Sequence, residues 1–243
     1  MTKSGIEYVT DYWNPAHGCT NGKDICMVSD DCWAKMITKR FKSHYPEGFR
    51  PTFHAQRLDQ PIHMKGNRRI FTVNMGDLFC EQMPFEWVMK IEEVIRKCPQ
   101  HRFLLLTKNP LRMTDYFRGI NKTVPDNVWL GASITVNSEV HRITDLPPKN
   151  KGGHRFISWE PLLELKEMDH AAIARAIVEN RSDWWILGGQ THPTIFPKWN
   201  VFDTLYRIAK IYGIPLFVKD NLQPYLIKQA AEGCFEQTFP AEY

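Results

Sequence analysis

Strand-sized apolar segments that alternate with amphipathic helical segments constrain the fold of this 243-residue chain more than any other feature. Short runs rich in β-branched and aromatic residues predict strands at residues 7–12, 69–74, 102–106, 128–134, 154–157, 184–187 and 215–218. Apolar residues at three- and four-residue intervals predict helices at residues 32–42, 84–97, 110–117, 138–145, 170–179 and 201–212. The alternation predicts an α/β fold, a partial or near-complete TIM-like barrel of about six to seven parallel strands.

Length and composition indicate one domain over residues 1–243, with a core large enough to fold without disulfides. The chain is 43% hydrophobic and 24% charged, as is usual for soluble globular proteins. No apolar run approaches the roughly 20 residues that span a bilayer. We therefore expect a cytoplasmic protein that makes no membrane contact. A basic insertion at residues 43–68 and a less regular tail at residues 220–243 are expected beside the barrel.

Polar residues and glycines follow the predicted strands throughout the chain. In parallel barrels the functional groups lie on the loops after the strands, so these residues are expected to line one pocket. The candidates are Gly76, Asp77, Cys80, Lys108, Ser133, Glu160, Gly188, Gln190, His192 and Lys219.

Three cysteines, Cys19, Cys26 and Cys32, lie within fourteen residues near the N-terminus. Three thiolates can bind three irons of a [4Fe-4S] cluster and leave the fourth iron open for a non-protein ligand such as S-adenosylmethionine (SAM). Zinc, with His17 or His44 as a further ligand, is the main alternative. Structural zinc sites usually space paired cysteines by about two to four residues, and the gaps here are six and five residues. Cysteines that only pack in a core are the weaker alternative, because glycine, proline and polar neighbours indicate a loop.

The segment from Lys35 to Arg69 contains nine Lys or Arg residues against two acids, with aromatic residues between them. Such a segment can follow a phosphate backbone and stack on bases. The alternative interpretation is a solvated, irregular insertion.

Short strings along nearly the whole chain carry a family resemblance when taken in order. They are Trp13-Asn14-Pro15, Gly18-Cys19, Gly76-Asp77-Leu78-Phe79, Leu106-Thr107-Lys108-Asn109-Pro110, Trp129-Leu130-Gly131-Ala132-Ser133, Phe156-Ile157-Ser158-Trp159-Glu160-Pro161-Leu162-Leu163, Ile186-Leu187-Gly188-Gly189 and Phe217-Val218-Lys219. With them the chain resembles a phage and prokaryotic three-cysteine-motif family related to the radical SAM superfamily, and in particular to its spore photoproduct lyase branch of DNA repair enzymes. Two features depart from that family. Five residues separate Cys26 from Cys32, where the family usually has two, and Gln190 stands where the family tends to have Glu.

The resemblance implies a role for each candidate residue. Cys19, Cys26 and Cys32 would bind the cluster, and Gly76 and Asp77 would hold the methionyl amine of SAM. Lys108 and Ser133 would contact the SAM carboxylate or ribose, and Trp33 would pack on adenine. Glu160 would bind a ribose hydroxyl or a substrate amine, and Cys80 would donate a hydrogen atom to a substrate radical. Gly188 and Gln190 are further cofactor-binding candidates. Structural roles remain open for Asp77 as a turn cap, Lys108 as a surface residue, Trp33 as a core residue and Cys80 as a buried thiol.

These observations predict a radical SAM isomerase or lyase that acts on a nucleobase in DNA. The sharpest hypothesis is isomerisation of an amino-acid-modified thymine during phage DNA hypermodification, in the host cytoplasm, with electrons from a flavodoxin or ferredoxin. A photoproduct lyase-like repair enzyme and a radical SAM enzyme for a small metabolite are alternatives. An alternative of another class is a zinc- or cluster-stabilised protein that binds nucleic acid without catalysis.

Overall fold

Seven strands form one parallel sheet in a computed structural model, which describes residues 5–119, 123–163, 168–180, 182–191, 193–241 and 243. The strands are β1 (Asp11–Trp13), β2 (Arg69–Thr72), β3 (Arg102–Thr107), β4 (Val124–Ser133), β5 (Gly152–Trp159), β6 (Trp184–Leu187) and β7 (Leu216–Val218). Their order in the sheet follows their order in the chain. The predicted α/β class and the strand order of a partial barrel are thus confirmed.

Helices follow most of these strands, as the apolar periodicity predicts. They are α1 (Trp33–Arg40), α2 (Phe85–Lys97), α3 (Pro110–Gly119), α4 (Arg142–Asp145), α5 (His170–Glu179), α6 (Trp199–Ile211) and α7 (Gln223–Lys228). Helix α2 buries Val88, Ile91 and Val94 along one stripe, because residues three apart share a helix face. Within the described part of the chain, no helix combines the length and apolarity needed to cross a membrane.

The chain packs as two compact units. The first comprises residues 1–130 and 151–153. In its core the buried Trp13 ring meets the Phe103 ring edge-on at 5.8 Å. A short antiparallel pair that the sequence analysis missed, Ala16–His17 with Thr52–Phe53, ties the basic insertion to the segment after β1. Two-residue strands are too short to produce a detectable alternation of apolar and polar residues.

The second unit comprises residues 131–150 and 154–243. Trp159, Trp184 and Trp185 are fully buried in it. The C-terminal tail runs beside β7, where Val218 N donates to Glu236 O and Thr238 N donates to Leu216 O. The tail therefore completes the hydrogen bonding of this edge strand.

Several predicted boundaries are corrected by tertiary hydrogen bonds. The first strand is residues 11–13 rather than 7–12, because Thr10 is bonded to Arg69 through both its amide and its hydroxyl, which places Asp11 opposite Ile70. The helix predicted at residues 138–145 is a 3-10 turn, Asn137–Glu139, followed by the short α4. The Glu139 carboxylate accepts hydrogen bonds from the amide and hydroxyl of Thr135, which bends the chain there.

Candidate functional site

The three cysteines lie on a loop, residues 18–32, that we call the cysteine loop. Its first residue, Gly18, packs directly on Gly76, which follows β2. Gly18 N donates to Met75 O at 3.0 Å, and Asp77 N donates to Gly18 O at 3.2 Å. A Cβ on Gly76 would lie 2.3 Å from Gly18 O, and Gly18 itself has a φ of +96°, so both positions require glycine. The cysteine loop is therefore fixed at the carboxyl ends of β1 and β2.

The buried Asp77 carboxylate connects the cysteine loop to the end of β3. Asp77 Oδ1 accepts hydrogen bonds from Thr107 Oγ1 at 2.7 Å and from Phe79 N at 2.9 Å. Asp77 Oδ2 accepts from Asn21 Nδ2 at 2.8 Å and from Lys108 N at 3.0 Å. A carboxylate has about four lone-pair positions, and four donors fill them here. Asp77 thus holds three separate chain segments in one arrangement.

Cys80 lies against the first cysteine of the loop. Cys80 is fully buried, and its sulfur is hydrogen-bonded to the Cys19 thiol and to Thr20. The hydrogen bond to Cys80, followed by burial, raises the pKa of Cys19. The same bond lowers the pKa of Cys80 to about 7. The sequence predicted these residues separately, and the fold brings their sulfurs into contact.

Cys26 and Cys32 lie close enough to each other to interact electrostatically. Burial raises the pKa of Cys26, while the positive charge of Lys108 acts in the opposite direction. Cys32 immediately precedes α1 and accepts a hydrogen bond from Met36 N at its carbonyl. Trp33, the first residue of α1, is 50% exposed and is therefore not the core residue that the structural alternative requires.

His17, the histidine considered as a zinc ligand, is buried with both ring nitrogens hydrogen-bonded. Nε2 lies 3.1 Å from Gly48 O and must donate to it, so Nδ1 accepts from Nε2 of His54 at 2.7 Å. The two rings are stacked at 4.9 Å. Burial, and then the charge of Arg57, lowers the pKa of His54 to about 4. The pair is therefore neutral near pH 7 and fastens the basic insertion beside the cysteine loop.

All six cysteines are unbridged. Among the residues that the structure describes, no three His, Cys, Asp or Glu side chains are grouped closely enough to hold a single metal ion. The cysteine loop is thus a candidate metal centre because of its thiol donors and its position, and not because its described residues form a ready-made site for a single ion.

A second polar cluster lies in the second unit, at the carboxyl ends of β5, β6 and β7. Lys219 Nζ forms an ion pair with Glu160 Oε1, and both side chains are largely shielded from solvent. Ser133 Oγ donates to Glu160 O at 3.1 Å. A Cβ on Gly188 would lie 3.0 Å from Glu160 Cδ and 3.0 Å from Lys219 Cδ. Four of the predicted candidates, Ser133, Glu160, Gly188 and Lys219, are therefore brought together.

The family comparison matches residues 3–223 of the chain to a model described as "Protein of unknown function (DUF5131)". The chain belongs to this family. The matched range includes both the cysteine loop and the Glu160–Lys219 pair. No curated protein and no solved structure matches the chain.

Three polar residues of this DUF5131 protein that sequence reasoning missed are Asn21, Glu139 and Arg142. Glu139 and Arg142 form a buried ion pair at 2.9 Å, and Arg142 Nη1 donates to Ser133 O at 2.7 Å. Their spacing of three within a helical pattern was a detectable signal for an ion pair, although not for its burial. Asn21 carried no such signal, because its partner Asp77 is 56 residues away.

Two further predicted positions follow β6. Gln190 begins a small antiparallel pair, Gln190–Thr191 with Thr194–Ile195. His192 lies outside the described residues.

Gly188→Ala is expected to lower the free energy of unfolding by about 1–2 kcal/mol, because the new methyl group forces apart a shielded ion pair. Chemical denaturation monitored by tryptophan fluorescence measures the change. Gly233→Ala is the matched control, since a Cβ at Gly233 meets nothing within 4 Å and is expected to cost little. Equal effects of the two substitutions would show that the space above Gly188 is not restrictive.

Proposed function

We propose that this chain is a radical SAM enzyme whose [4Fe-4S] cluster is held by Cys19, Cys26 and Cys32. The observation that carries the proposal is the attachment of the cysteine loop to the carboxyl ends of parallel strands. Contact between Gly18 and Gly76 and the hydrogen bond from Asn21 to Asp77 make this attachment. The ends of parallel strands are where barrel enzymes assemble their catalytic groups.

The donor groups around the loop fit a cluster in their chemistry. Asn21 N donates to Cys19 Sγ at 3.3 Å, and amide hydrogen bonds to ligand sulfur are a usual feature of iron–sulfur sites. Cys26 is buried within the electrostatic reach of Lys108, whose positive charge favours a thiolate. Both Cys19 and Cys26 are also within reach of the negative charge of Asp77. Cys19 and Cys26 therefore border one polar neighbourhood on the first unit, and Cys32 lies within electrostatic reach of Cys26.

The cluster, when bound, would supply one electron to the sulfonium of SAM, so that the C5′–S bond breaks to give methionine and a 5′-deoxyadenosyl radical. The chain itself would position the reactants. Asn21 Oδ1 is buried and has no hydrogen-bond partner among the described residues, so it is available to accept a hydrogen bond from the methionyl ammonium. Asp77 would act as a positioning residue, since it accepts a hydrogen bond from Asn21 while three other donors hold its carboxylate in place. Cys80 would pack beside the cluster ligand Cys19.

The Glu160–Lys219 pair provides the second set of groups for ligand binding. Glu160 offers a carboxylate for an amine or hydroxyl, and Lys219 offers an ammonium for a carboxylate or phosphate. Ser133 contacts the Glu160 backbone and would position that residue. The proposed roles of these residues follow from charge complementarity.

The proposed substrate is a nucleobase in DNA, with isomerisation of an amino-acid-modified thymine as the sharpest form of the proposal. A base must leave the helical stack before an enzyme can act on it, which requires a protein surface that accepts a separated strand. The exposed basic residues that follow the cysteine loop supply positive charge for such a strand. A flavodoxin or ferredoxin is the proposed electron donor.

Anaerobic reconstitution with iron and sulfide tests the cofactor. We expect brown protein with about four irons per chain, and formation of 5′-deoxyadenosine from SAM after reduction with dithionite. Protein that takes up iron and sulfide but cleaves no SAM would contradict the enzymatic proposal.

Nucleoside mass spectrometry of hypermodified phage DNA, before and after incubation with reduced protein and SAM, then tests the substrate. An unchanged nucleoside profile would contradict a base in DNA as the target.

A further inference from the structure

Helix α1 and the residue pair after it expose large apolar and basic side chains together. Trp33 is 50%, Met36 49% and Phe41 43% exposed. Helix α1 buries only Ala34 and Thr38. We call the exposed surface the α1 patch, and it consists of Trp33, Met36, Lys39, Arg40, Phe41 and Lys42.

The positive charge of the whole chain is concentrated around this patch. Residues 33–50 contain five Lys or Arg residues and a single acid, Glu47, which leaves a formal charge of +4. The formal charge of the entire chain is also +4, so the remaining 225 residues are neutral in sum. A local excess of this kind attracts a polyanion and is strongly sensitive to salt.

At the end of α1 a basic side chain and an aromatic side chain lie against each other. The guanidinium carbon of Arg40 lies 5.4 Å from the centre of the Phe41 ring, a cation–π arrangement that leaves the basic group beside an exposed aromatic surface. Adjacent rings and cations are typical of surfaces that bind single-stranded nucleic acid, where bases stack on rings and phosphates contact cations.

We propose that the α1 patch binds a single strand of DNA. Bases stack on Trp33 and Phe41, and backbone phosphates contact Lys39, Arg40 and Lys42. Trp33 directly follows Cys32 in the chain, so a base stacked on the Trp33 ring lies next to the end of the cysteine loop. This assigns Trp33 to the nucleic acid instead of to the adenine of SAM. The inference rests on the proposed function only for its choice of DNA as the polymer.

Fluorescence anisotropy with a labelled oligothymidylate of about 15 nucleotides tests the proposal. The protein is used without iron, sulfide or SAM, so that binding is measured independently of the cluster. We expect tighter binding of the single strand than of a duplex of equal length. Trp33→Ala and Trp33→Leu are each expected to weaken binding about 5- to 100-fold, because either change removes the stacking ring and Leu retains an apolar side chain.

The charge contacts are tested by the salt dependence of the same binding. Lys39→Gln and Arg40→Gln are each expected to reduce the slope of log affinity against log salt by about 0.7, the value for one phosphate contact with a single strand. Met89→Ala and Lys97→Gln on α2 are the matched controls, since both residues are exposed on the same unit. Neither control is expected to change the affinity or the slope.

The proposal is overturned if the Trp33 and basic variants behave like their α2 controls. Tighter binding of an RNA strand of matched sequence, sensitive to the same substitutions, would overturn the choice of DNA. Binding to vesicles of phosphatidylserine and phosphatidylcholine that is lost in Trp33→Leu, without binding to the oligonucleotide, would assign the patch to a membrane surface. Because the protein in these binding assays carries no cluster, a failure to bind the strand can be distinguished from a failure to cleave SAM.

Discussion

Cys19→Ala is expected to abolish stable cluster assembly, reducing the iron bound after anaerobic reconstitution from about four atoms per chain to below about one. SAM cleavage should fall to the background rate, because the chain would then offer too few thiolates to hold the cluster. Iron and sulfide analysis, together with visible absorption, measures assembly. Production of 5′-deoxyadenosine measures SAM cleavage.

Substitutions of the other cysteines distinguish the cluster ligands from cysteines that only lie nearby. Cys26→Ala and Cys32→Ala should lose iron as Cys19→Ala does. Cys98→Ala is the matched control, since Cys98 is buried in the same unit at the end of α2, outside the cysteine loop, and should retain the cluster. Cys80→Ala should also retain it. Loss of iron in Cys80→Ala with retention in Cys26→Ala would contradict our ligand set and make Cys80 the third ligand.

Asp77→Asn is expected to lower the free energy of unfolding by about 3–5 kcal/mol. An asparagine side chain has an NH2 group in place of one carboxylate oxygen. That NH2 group cannot accept a hydrogen bond, so two of the four donors that now bind the carboxylate would lose their acceptor. Hydrogen bonds to charged groups contribute about 1.5–3 kcal/mol each, so loss of two buried ones is a large effect. Chemical denaturation of the apo protein measures it.

Hydrogen exchange locates the effect and distinguishes positioning from general destabilisation. In Asp77→Asn we expect the amides of the cysteine loop, residues 18–32, to lose protection at denaturant concentrations where α2 remains protected. Asp115→Asn is the control, because Asp115 is exposed and lies 3.7 Å from Arg118, and it should change stability by less than about 0.5 kcal/mol. A stability change in Asp77→Asn as small as in this control, with unchanged loop protection, would show that Asp77 does not hold the loop.

Local patterns were sufficient to predict most of the framework. The helix α5, His170–Glu179, and the strand β6, Trp184–Leu187, have the bounds that apolar spacing indicated. They could be predicted because burial of one helix face, or of both strand faces, leaves a repeat within a few residues. The strand pair Ala16–His17 with Thr52–Phe53 could not, since its partners are far apart in the chain. The turn at Asn137–Glu139 could not either, since the hydrogen bonds from Thr135 to Glu139 leave no apolar repeat.

The candidate site was predictable in its residue types but not in its contacts. Polar residues after parallel strands had to lie at one edge of their sheet, which explains why Asp77 and Lys108 were found by position. The four donors to Asp77, and the contact of Cys80 with Cys19, depend on how three loops pack. That packing is set by the fit of Gly18 on Gly76, a steric relation between residues far apart in the chain.

The amino-acid sequence alone determined the α/β alternation, the three-cysteine loop and the basic aromatic segment, because each is a property of neighbouring residues. Tertiary structure alone decided that Asp77 holds the cysteine loop, that Glu160 meets Lys219 above Gly188, and that the α1 rings are exposed. The physical reason is that strand register and loop packing bring together side chains separated by tens of residues. No local periodicity records which of those distant groups will become partners.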